Sequence, residues 1–258
     1  MMRAERTTSM MRRRGPGSGG PQLYAVAVDL GSARVKLWAP DRRGPVEVRT
    51  AEGDRTVLVR RGAIVDVAAI ASLLDGLVPV RAHRDSVVMV TTPVGSGDAH
   101  RRDLLEILGP RRLLTIDGVK AAALGARADL TRALLVVDMG AQLTEVALIE
   151  AGQVSRGHRT ALGLDDLGSG VSPADLVRAI ATATIPMLDD DCGPQVVDAL
   201  DRGILLTGGG ALRPELIYKL AQQLGAKVRP APAPITAAVR GAVLALQATC
   251  RHPGSMNR

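Results

Sequence analysis

Apolar and polar residues follow two patterns along the chain, one typical of strands and one typical of helices. Short apolar runs that end in turn residues, at 23–28 and 133–137, predict buried strands. Apolar residues spaced three and four positions apart predict a helix at 67–78, and Asp66 stands just before it as an N-cap. Strands in hairpins, mixed with strand–helix units, predict an α/β fold with mixed sheets.

The second half contains further helical patterns, and one of them has a predicted end. The pattern at 173–188 is helical until Pro186. Because proline lacks the backbone N–H that a helix interior requires, the helix is predicted to end there. The last helical pattern covers 234–249.

A strand, a turn and a second strand occur twice, once in each half of the chain. The first copy reads AVAVDLGSARVKLW and the second reads LLVVDMGAQLTEVAL. Asp29 corresponds to Asp138, and Gly31 corresponds to Gly140. Two copies of one opening predict a duplicated domain, in which each lobe is built on a mixed five-stranded sheet.

Both turns carry residue types that suit a phosphate ligand. Glycine at a hairpin turn lets backbone N–H groups approach phosphate oxygens, and an Asp at a strand end can hold Mg²⁺ through water. Either turn alone is better explained as an ordinary tight hairpin, but the duplication favours two turns that face each other across a polyphosphate. The sequence leaves the roles of two nearby residues undecided. Lys36 could face solvent or phosphate, and Glu145 could be a solvated strand residue.

A third glycine-rich element follows the apolar run at 204–206. It consists of Gly208, Gly209 and Gly210, and a helical pattern covers 214–224. A strand that enters a helix through glycines allows a ligand to approach closely, with the positive end of the helix dipole directed at it. A lone glycine run is typical of many α/β proteins, but behind two Asp-x-Gly hairpins it predicts part of the same site. No GxxxxGK[ST] motif is present, and no GxGxxG motif follows a strand.

Composition and charge limit the classes of partner. Hydrophobic residues make up 46% of the chain, with no Phe, one Trp and two Tyr, so aromatic stacking on single-stranded nucleic acid is not expected. The net charge is +7, and the Arg-rich head at 1–22 is predicted to be disordered, with weak electrostatic attraction to an anionic membrane. The two cysteines give no disulfide framework and fit a reducing cytoplasm.

The three motifs, in this order, resemble those of the actin-like ATPase superfamily, which has a ribonuclease H-like α/β fold. Within it the chain is most similar to the MreB family of bacterial cell-shape proteins. The motif VAVDLGSARVKLW resembles phosphate-1, LLVVDMGAQLTEVALIEAG resembles phosphate-2, and DRGILLTGGGALRPEL resembles the adenosine motif. The similarity covers most of 23–246.

The resemblance implies two duplicated lobes around a central nucleotide cleft that binds ATP and Mg²⁺. It implies a basic head at 1–22, lobe I at 23–127, lobe II at 128–248 and a tail at 249–258. It also implies that Asp117 positions the attacking water, that Asp138 is catalytic, and that Asp29 and Asp138 hold the metal. The implied nucleotide-binding residues are Asp29, Gly31, Ser32, Asp138, Gly140, Thr144, Gly208, Gly209 and Gly210.

The chain departs from the family pattern in ways that predict slow ATP hydrolysis at most. Ala141 and Gln142 stand where the family has glycines, and Leu143 replaces a hydroxyl residue. Left-handed backbone at such positions would cost roughly 1 kcal/mol per site. Asp117 replaces a longer glutamate, and the segments at 39–63 and 168–200 are shorter than in the family, which implies reduced upper subdomains.

The resemblance implies a cytoskeletal function in cell shape or cell-wall morphogenesis. The expected partner is a second copy of the chain or a full-length MreB-type homologue, in the cytoplasm, with weak membrane contact through the head. The alternative is a pseudo-ATPase scaffold that recruits cell-wall or stress-response partners. A sugar or acetate kinase of the same superfamily is less favoured, because the shortened segments leave little room for a substrate subdomain.

Overall fold

The structure is a computed structural model that describes residues 24–50, 57–78, 86–189 and 193–251. The predicted head at 1–22 and most of the predicted tail lie outside these residues. The strands are β1 (Tyr24–Leu30), β2 (Arg34–Trp38), β3 (Val46–Arg49), β4 (Val59–Arg60), β5 (Ala63–Ile64), β6 (Ser86–Thr92), β7 (Arg112–Asp117), β8 (Leu134–Met139), β9 (Thr144–Glu150), β10 (Gln153–Thr160), β11 (Ile204–Gly208) and β12 (Val228–Pro230). The helices are α1 (Val67–Leu77), α2 (Asp98–Leu108), α3 (Gly118–Gly125), α4 (Pro173–Asp189), α5 (Gly193–Arg202), α6 (Pro214–Leu224) and α7 (Ala237–Arg251).

Two five-stranded sheets share one plan. The first sheet has the order β3-β2-β1-β6-β7 and the second has the order β10-β9-β8-β11-β12. In each sheet a central strand, β1 or β8, pairs antiparallel with the next strand of the chain and parallel with a later one. The prediction of a duplicated α/β domain with two mixed five-stranded sheets is therefore confirmed.

Helices cover the outer face of each sheet. On the first sheet, the apolar sides of α1 and α2 pack against alternate residues of β1 and β6, such as Val28 and Val90. On the second sheet, α4, α5 and α6 pack against alternate residues of β8 and β11, such as Val137 and Leu206. The N-cap predicted for α1 is confirmed, because the Asp66 carboxylate accepts a hydrogen bond of 2.8 Å from the N–H of Ala69.

The inner faces of the two sheets are covered by helices that cross over. Helix α3 follows the first sheet in the chain but packs on the second sheet, where Ala122 contacts the cluster around Val136. Helix α7 follows the second sheet but packs on the first, where Ala242 joins the cluster around Met89. The two helices also pack against each other, so they connect the lobes.

The end predicted for the helix at Pro186 is wrong. Helix α4 continues through Pro186 to Asp189. Its apolar face is buried on both sides of the proline, at Ile180 and Met187, and this packing outweighs the hydrogen bond that proline cannot donate. The next helix, α5, has no counterpart among the predicted elements.

Candidate functional site

A cavity of about 360 Å³ lies between the two lobes, at the ends of the central strands. Its wall includes Gly31 from the turn after β1, Gly140 from the turn after β8, and Gly209 from the turn after β11. The three turns singled out from the sequence therefore meet at one cavity, as the duplicated pattern predicts.

The two hairpin turns have the same local geometry. The N–H of Gly31 donates to the carbonyl of Arg34 at 3.1 Å, and the N–H of Gly140 donates to the carbonyl of Leu143 at 2.9 Å. A Cβ atom built on either glycine would lie 2.9 Å from that same carbonyl oxygen. The glycines therefore allow the turn itself to close tightly, and their own N–H groups bond within the turn.

The second hairpin turn accommodates its non-glycine residues without left-handed backbone. Among the described residues, the non-glycine positions with positive φ do not include Ala141 or Gln142. The strain expected at these two positions is therefore wrong. Two backbone hydrogen bonds also fix the turn. The carbonyl of Gly140 accepts a hydrogen bond of 3.0 Å from the N–H of Leu164, and the carbonyl of Ala141 accepts one of 2.8 Å from the N–H of Asp165.

The glycine run after β11 is required by close contacts within the protein. Gly208 has φ of +75°, and a Cβ on it would lie 2.3 Å from Asp138 Oδ1. A Cβ on Gly210 would lie 2.4 Å from the Cβ of Met139, so this glycine packs on β8 rather than lining the cavity. A 3-10 turn at Gly209–Leu212 connects the glycines to α6, and the helix predicted at 214–224 is confirmed.

The carboxylate of Asp29 is held by two side chains from neighbouring strands. Lys36 stands opposite Asp29 on β2, and its Nζ lies 2.7 Å from Asp29 Oδ2. Thr91 stands beside Asp29 on β6, and its hydroxyl donates to Asp29 Oδ1 at 2.7 Å. Burial alone would lower the pKa of Lys36, but the Asp29 carboxylate outweighs burial and raises the pKa. Lys36 is therefore a cation at neutral pH.

The second lobe repeats this arrangement around Asp138 with a different charge. Glu145 on β9 and Thr207 on β11 occupy the positions beside Asp138 that Lys36 and Thr91 occupy beside Asp29. Burial, together with the nearby Asp138, raises the pKa of Glu145 to about 8. Burial also raises the pKa of Asp138 to about 6, with Asp29 acting in the same direction and Lys36 opposing. The cavity thus has a resident cation from lobe I and two carboxyl groups of raised pKa from lobe II.

The carboxylate of Asp29 is not free to ligate a magnesium ion directly in this arrangement. Mg²⁺ requires carboxylate or water oxygens in near-octahedral geometry. Both oxygens of Asp29 already accept hydrogen bonds, one of them from the Lys36 ammonium. Within the described ranges, no group of three or more His, Cys, Asp or Glu side chains could hold a metal ion.

Three of the predicted site residues lie outside the cavity wall. Gly210 is buried against β8, as described above. The hydroxyl of Thr144 is also buried, and it donates to the carbonyl of Leu162 at 2.8 Å. Asp117 lies in a second pocket of about 230 Å³, where burial raises its pKa. The remaining predicted residues line the cavity: Asp29, Gly31, Ser32, Asp138, Gly140, Gly208 and Gly209.

Hydrogen bonds between the lobes border the cavity. Glu145 Oε1 accepts a hydrogen bond of 2.6 Å from the N–H of Val94, in the loop after β6. At the cavity mouth, the guanidinium of Arg61 bonds both carboxylate oxygens of Asp166, at 2.8 and 3.2 Å. Lys36 and Glu145 both line the cavity, which resolves the alternatives that the sequence left open for them. Their equal spacing of seven residues from Asp29 and Asp138 is the signal that identifies them.

In the part of the chain that the structure describes, no helix has the length and apolar character needed to cross a membrane.

The fold matches solved structures of a bacterial actin-like protein. The chain superimposes on MreB5 of Spiroplasma citri bound to ADP with a TM-score of 0.77 and 16% sequence identity, over 92% of this chain and 99% of that chain. The same protein bound to AMPPNP gives a TM-score of 0.75, again at 16% identity, over 93% of this chain and 99% of that one. The chain therefore has the actin-like ATPase fold that the resemblance implies.

Sequence comparisons agree with the fold. The chain is 26% identical over 235 residues to the cell shape-determining protein MreB of Escherichia coli strain K12. The match covers 66% of this chain and 67% of that protein. The sequence profile described as MreB/Mbl protein matches residues 54–173 and 169–252, which is more than half of the chain. The chain belongs to the MreB/Mbl protein family.

Proposed function

We propose that the chain binds an adenine nucleotide, ATP in the first instance, in the cavity between the lobes, and that it assembles as a cytoskeletal protein. The observation that carries this proposal is the meeting of three glycine turns at one cavity of about 360 Å³, a size within the range of about 300–1,000 Å³ typical of ligand pockets. The complexes of MreB5 with ADP and AMPPNP support it, since that protein has the same fold.

Hydrolysis of the bound nucleotide is proposed to be slow. Asp117, the residue that the family resemblance assigns to the attacking water, lies in the second pocket and not in the cavity wall. Asp138 does line the cavity and remains the proposed catalytic partner. Asp117 also has a shorter reach than the glutamate of the family, and a carboxylate about 1 Å from its working position can lose about two orders of magnitude in rate.

The proposed partner is a second copy of the chain or a full-length MreB-type protein, and the proposed role is in cell shape or cell-wall morphogenesis. The support is membership of the MreB/Mbl family and the likeness to the cell shape-determining protein of Escherichia coli. We place this function in the cytoplasm, with weak, salt-sensitive attraction of the Arg-rich head at 1–22 to anionic lipid.

Calorimetric titration of the protein with ATP and ADP tests nucleotide binding. The variant Ser32→Asp adds a negative charge to the first turn and should weaken ATP binding by about tenfold or more. The matched control Ser72→Asp adds the same charge on the exposed side of α1, away from the cavity, and should bind as the unmodified protein does. Equal affinities of the two variants would contradict binding at this cavity.

Light scattering and pelleting, with and without ATP, test assembly. We expect ATP to increase the pelleted fraction of the protein alone or of its mixture with a full-length MreB-type protein. A chain that binds ATP but stays monomeric in both experiments would contradict the cytoskeletal part of the proposal.

A further inference from the structure

A cation that belongs to the chain lies in the cavity wall, next to the first hairpin turn. The ammonium of Lys36 lies 2.7 Å from Asp29 Oδ2, and the Lys36 side chain is only 12% exposed. It is also 3.9 Å from the point where a Cβ on Gly31 would lie, so it sits directly under the first glycine turn. A polyphosphate bound at that turn would therefore contact the Lys36 ammonium.

The positive charge of Lys36 lies near a carboxyl group of each lobe. Its neighbours are the carboxylate of Asp29 and, across the cavity, the carboxyl of Asp138, which attracts it electrostatically. A lysine ammonium is a compact charge with three donors, and the contact to Asp29 leaves donors that can reach a phosphate oxygen. The Thr91 hydroxyl fixes the other oxygen of Asp29, so the carboxylate is oriented toward the lysine.

A magnesium ion could bind Asp29 directly only after displacing this network. Displacement would leave a largely buried ammonium without its partner, and an unpaired buried charge is strongly unfavourable. The equivalent position in lobe II, at Glu145, carries a carboxyl group and supplies no competing cation. The arrangement therefore favours a ligand whose negative charge is neutralised directly by Lys36.

We infer that Lys36 takes the place of the divalent metal ion, so that the cavity binds a nucleoside polyphosphate without magnesium. This inference rests on the proposed function, because it concerns the cation requirement of the same site.

The test is calorimetric titration of the full chain with ATP, once in excess magnesium and once in EDTA. We expect the two dissociation constants to agree within about threefold. Binding with magnesium only would overturn the inference and leave the proposed function intact. Binding under neither condition would overturn both.

A pair of lysine variants tests the role of the residue itself. Lys36→Met keeps the length of the side chain and removes its charge, which should weaken binding in EDTA by roughly 10- to 100-fold. It should also make binding depend on magnesium, because Asp29 is then free to accept a metal. The control Lys219→Met, on α6 beside Glu215, should change neither titration.

A Lys36→Met variant that binds in EDTA as tightly as the unmodified protein would overturn the inference. Circular dichroism establishes whether the variant is folded. If the variant is not folded, the inference is tested by the unmodified protein alone, through the ratio of its ATP dissociation constants in magnesium and in EDTA.

Discussion

Replacing Gly241 by alanine should force apart the two helices that cross between the lobes. A Cβ built on Gly241 of α7 would lie 1.6 Å from the carbonyl oxygen of Ala121 on α3. Restoring a normal contact of about 3.3 Å between carbon and oxygen requires a movement of about 1.7 Å at the crossing. The partner atom is backbone, so no side-chain rotation can relieve the clash.

The expected loss of stability is about 2 kcal/mol or more. Overpacking in a close-packed interior costs about 1–3 kcal/mol and occasionally more, and a clash with backbone places Gly241→Ala at the upper end, about 3 kcal/mol or more. The higher helix propensity of alanine returns up to about 1 kcal/mol of this. Gly76→Ala in α1 is the matched control, since nothing lies within 4 Å of the added Cβ, and there we expect a gain of about 0.5–1 kcal/mol.

Guanidinium unfolding of the three proteins, followed by circular dichroism, measures the difference. The midpoint should fall for Gly241→Ala and rise slightly for Gly76→Ala. If both substitutions shift the midpoint in the same upward direction, helix propensity alone decides the effect and the steric reasoning is refuted.

Three further substitutions have defined outcomes. The pKa of Glu145 is raised from 4.5 to about 8, so the folded state binds this proton more tightly than the unfolded state, and stability should fall as pH rises between about 4.5 and 8. Glu145→Gln should flatten this slope in urea unfolding at several pH values, and an unchanged slope would contradict the buried, protonated carboxyl. Thr144→Val leaves the carbonyl of Leu162 without its donor and should cost about 1–3 kcal/mol in thermal unfolding. ATP affinity in calorimetry should stay the same. A selective loss of affinity would instead place Thr144 in the ligand site. Asp66→Ala removes the N-cap of α1 and should cost about 1 kcal/mol by the same unfolding assay. Ser72→Ala, at an exposed position of the same helix, is the control and should not show this loss.

The repeated sheet plan could be predicted from the sequence because its signals are local. Apolar alternation and an Asp-x-Gly turn lie within about 14 residues of each other, and they occur twice. The same local register also places Lys36 opposite Asp29 and Glu145 opposite Asp138, once the turn is known. Hairpin geometry therefore determines which side chains face the two Asp residues.

Other features depend on contacts between distant residues, and the sequence pattern does not contain them. The continuation of α4 through Pro186 depends on burial of Met187 in the second lobe. The roles of Gly208 and Gly210 depend on the closeness of β8, which only the sheet order brings beside β11. The second pocket around Asp117 likewise depends on the loop after β6, which forms part of its wall.

The crossed helices have a consequence for synthesis on the ribosome. The inner face of the first sheet, with Ala27 and Met89, is covered by residues of α7 such as Val239 and Leu246. That face must stay open while the second half of the chain is translated. At about 5–20 residues per second, the stretch from the end of α3 to the end of α7 takes roughly 6 to 25 seconds to emerge. The N-terminal half is thus a nascent chain with an uncovered apolar face for seconds, which makes it a natural client for chaperones that bind ribosome-bound chains.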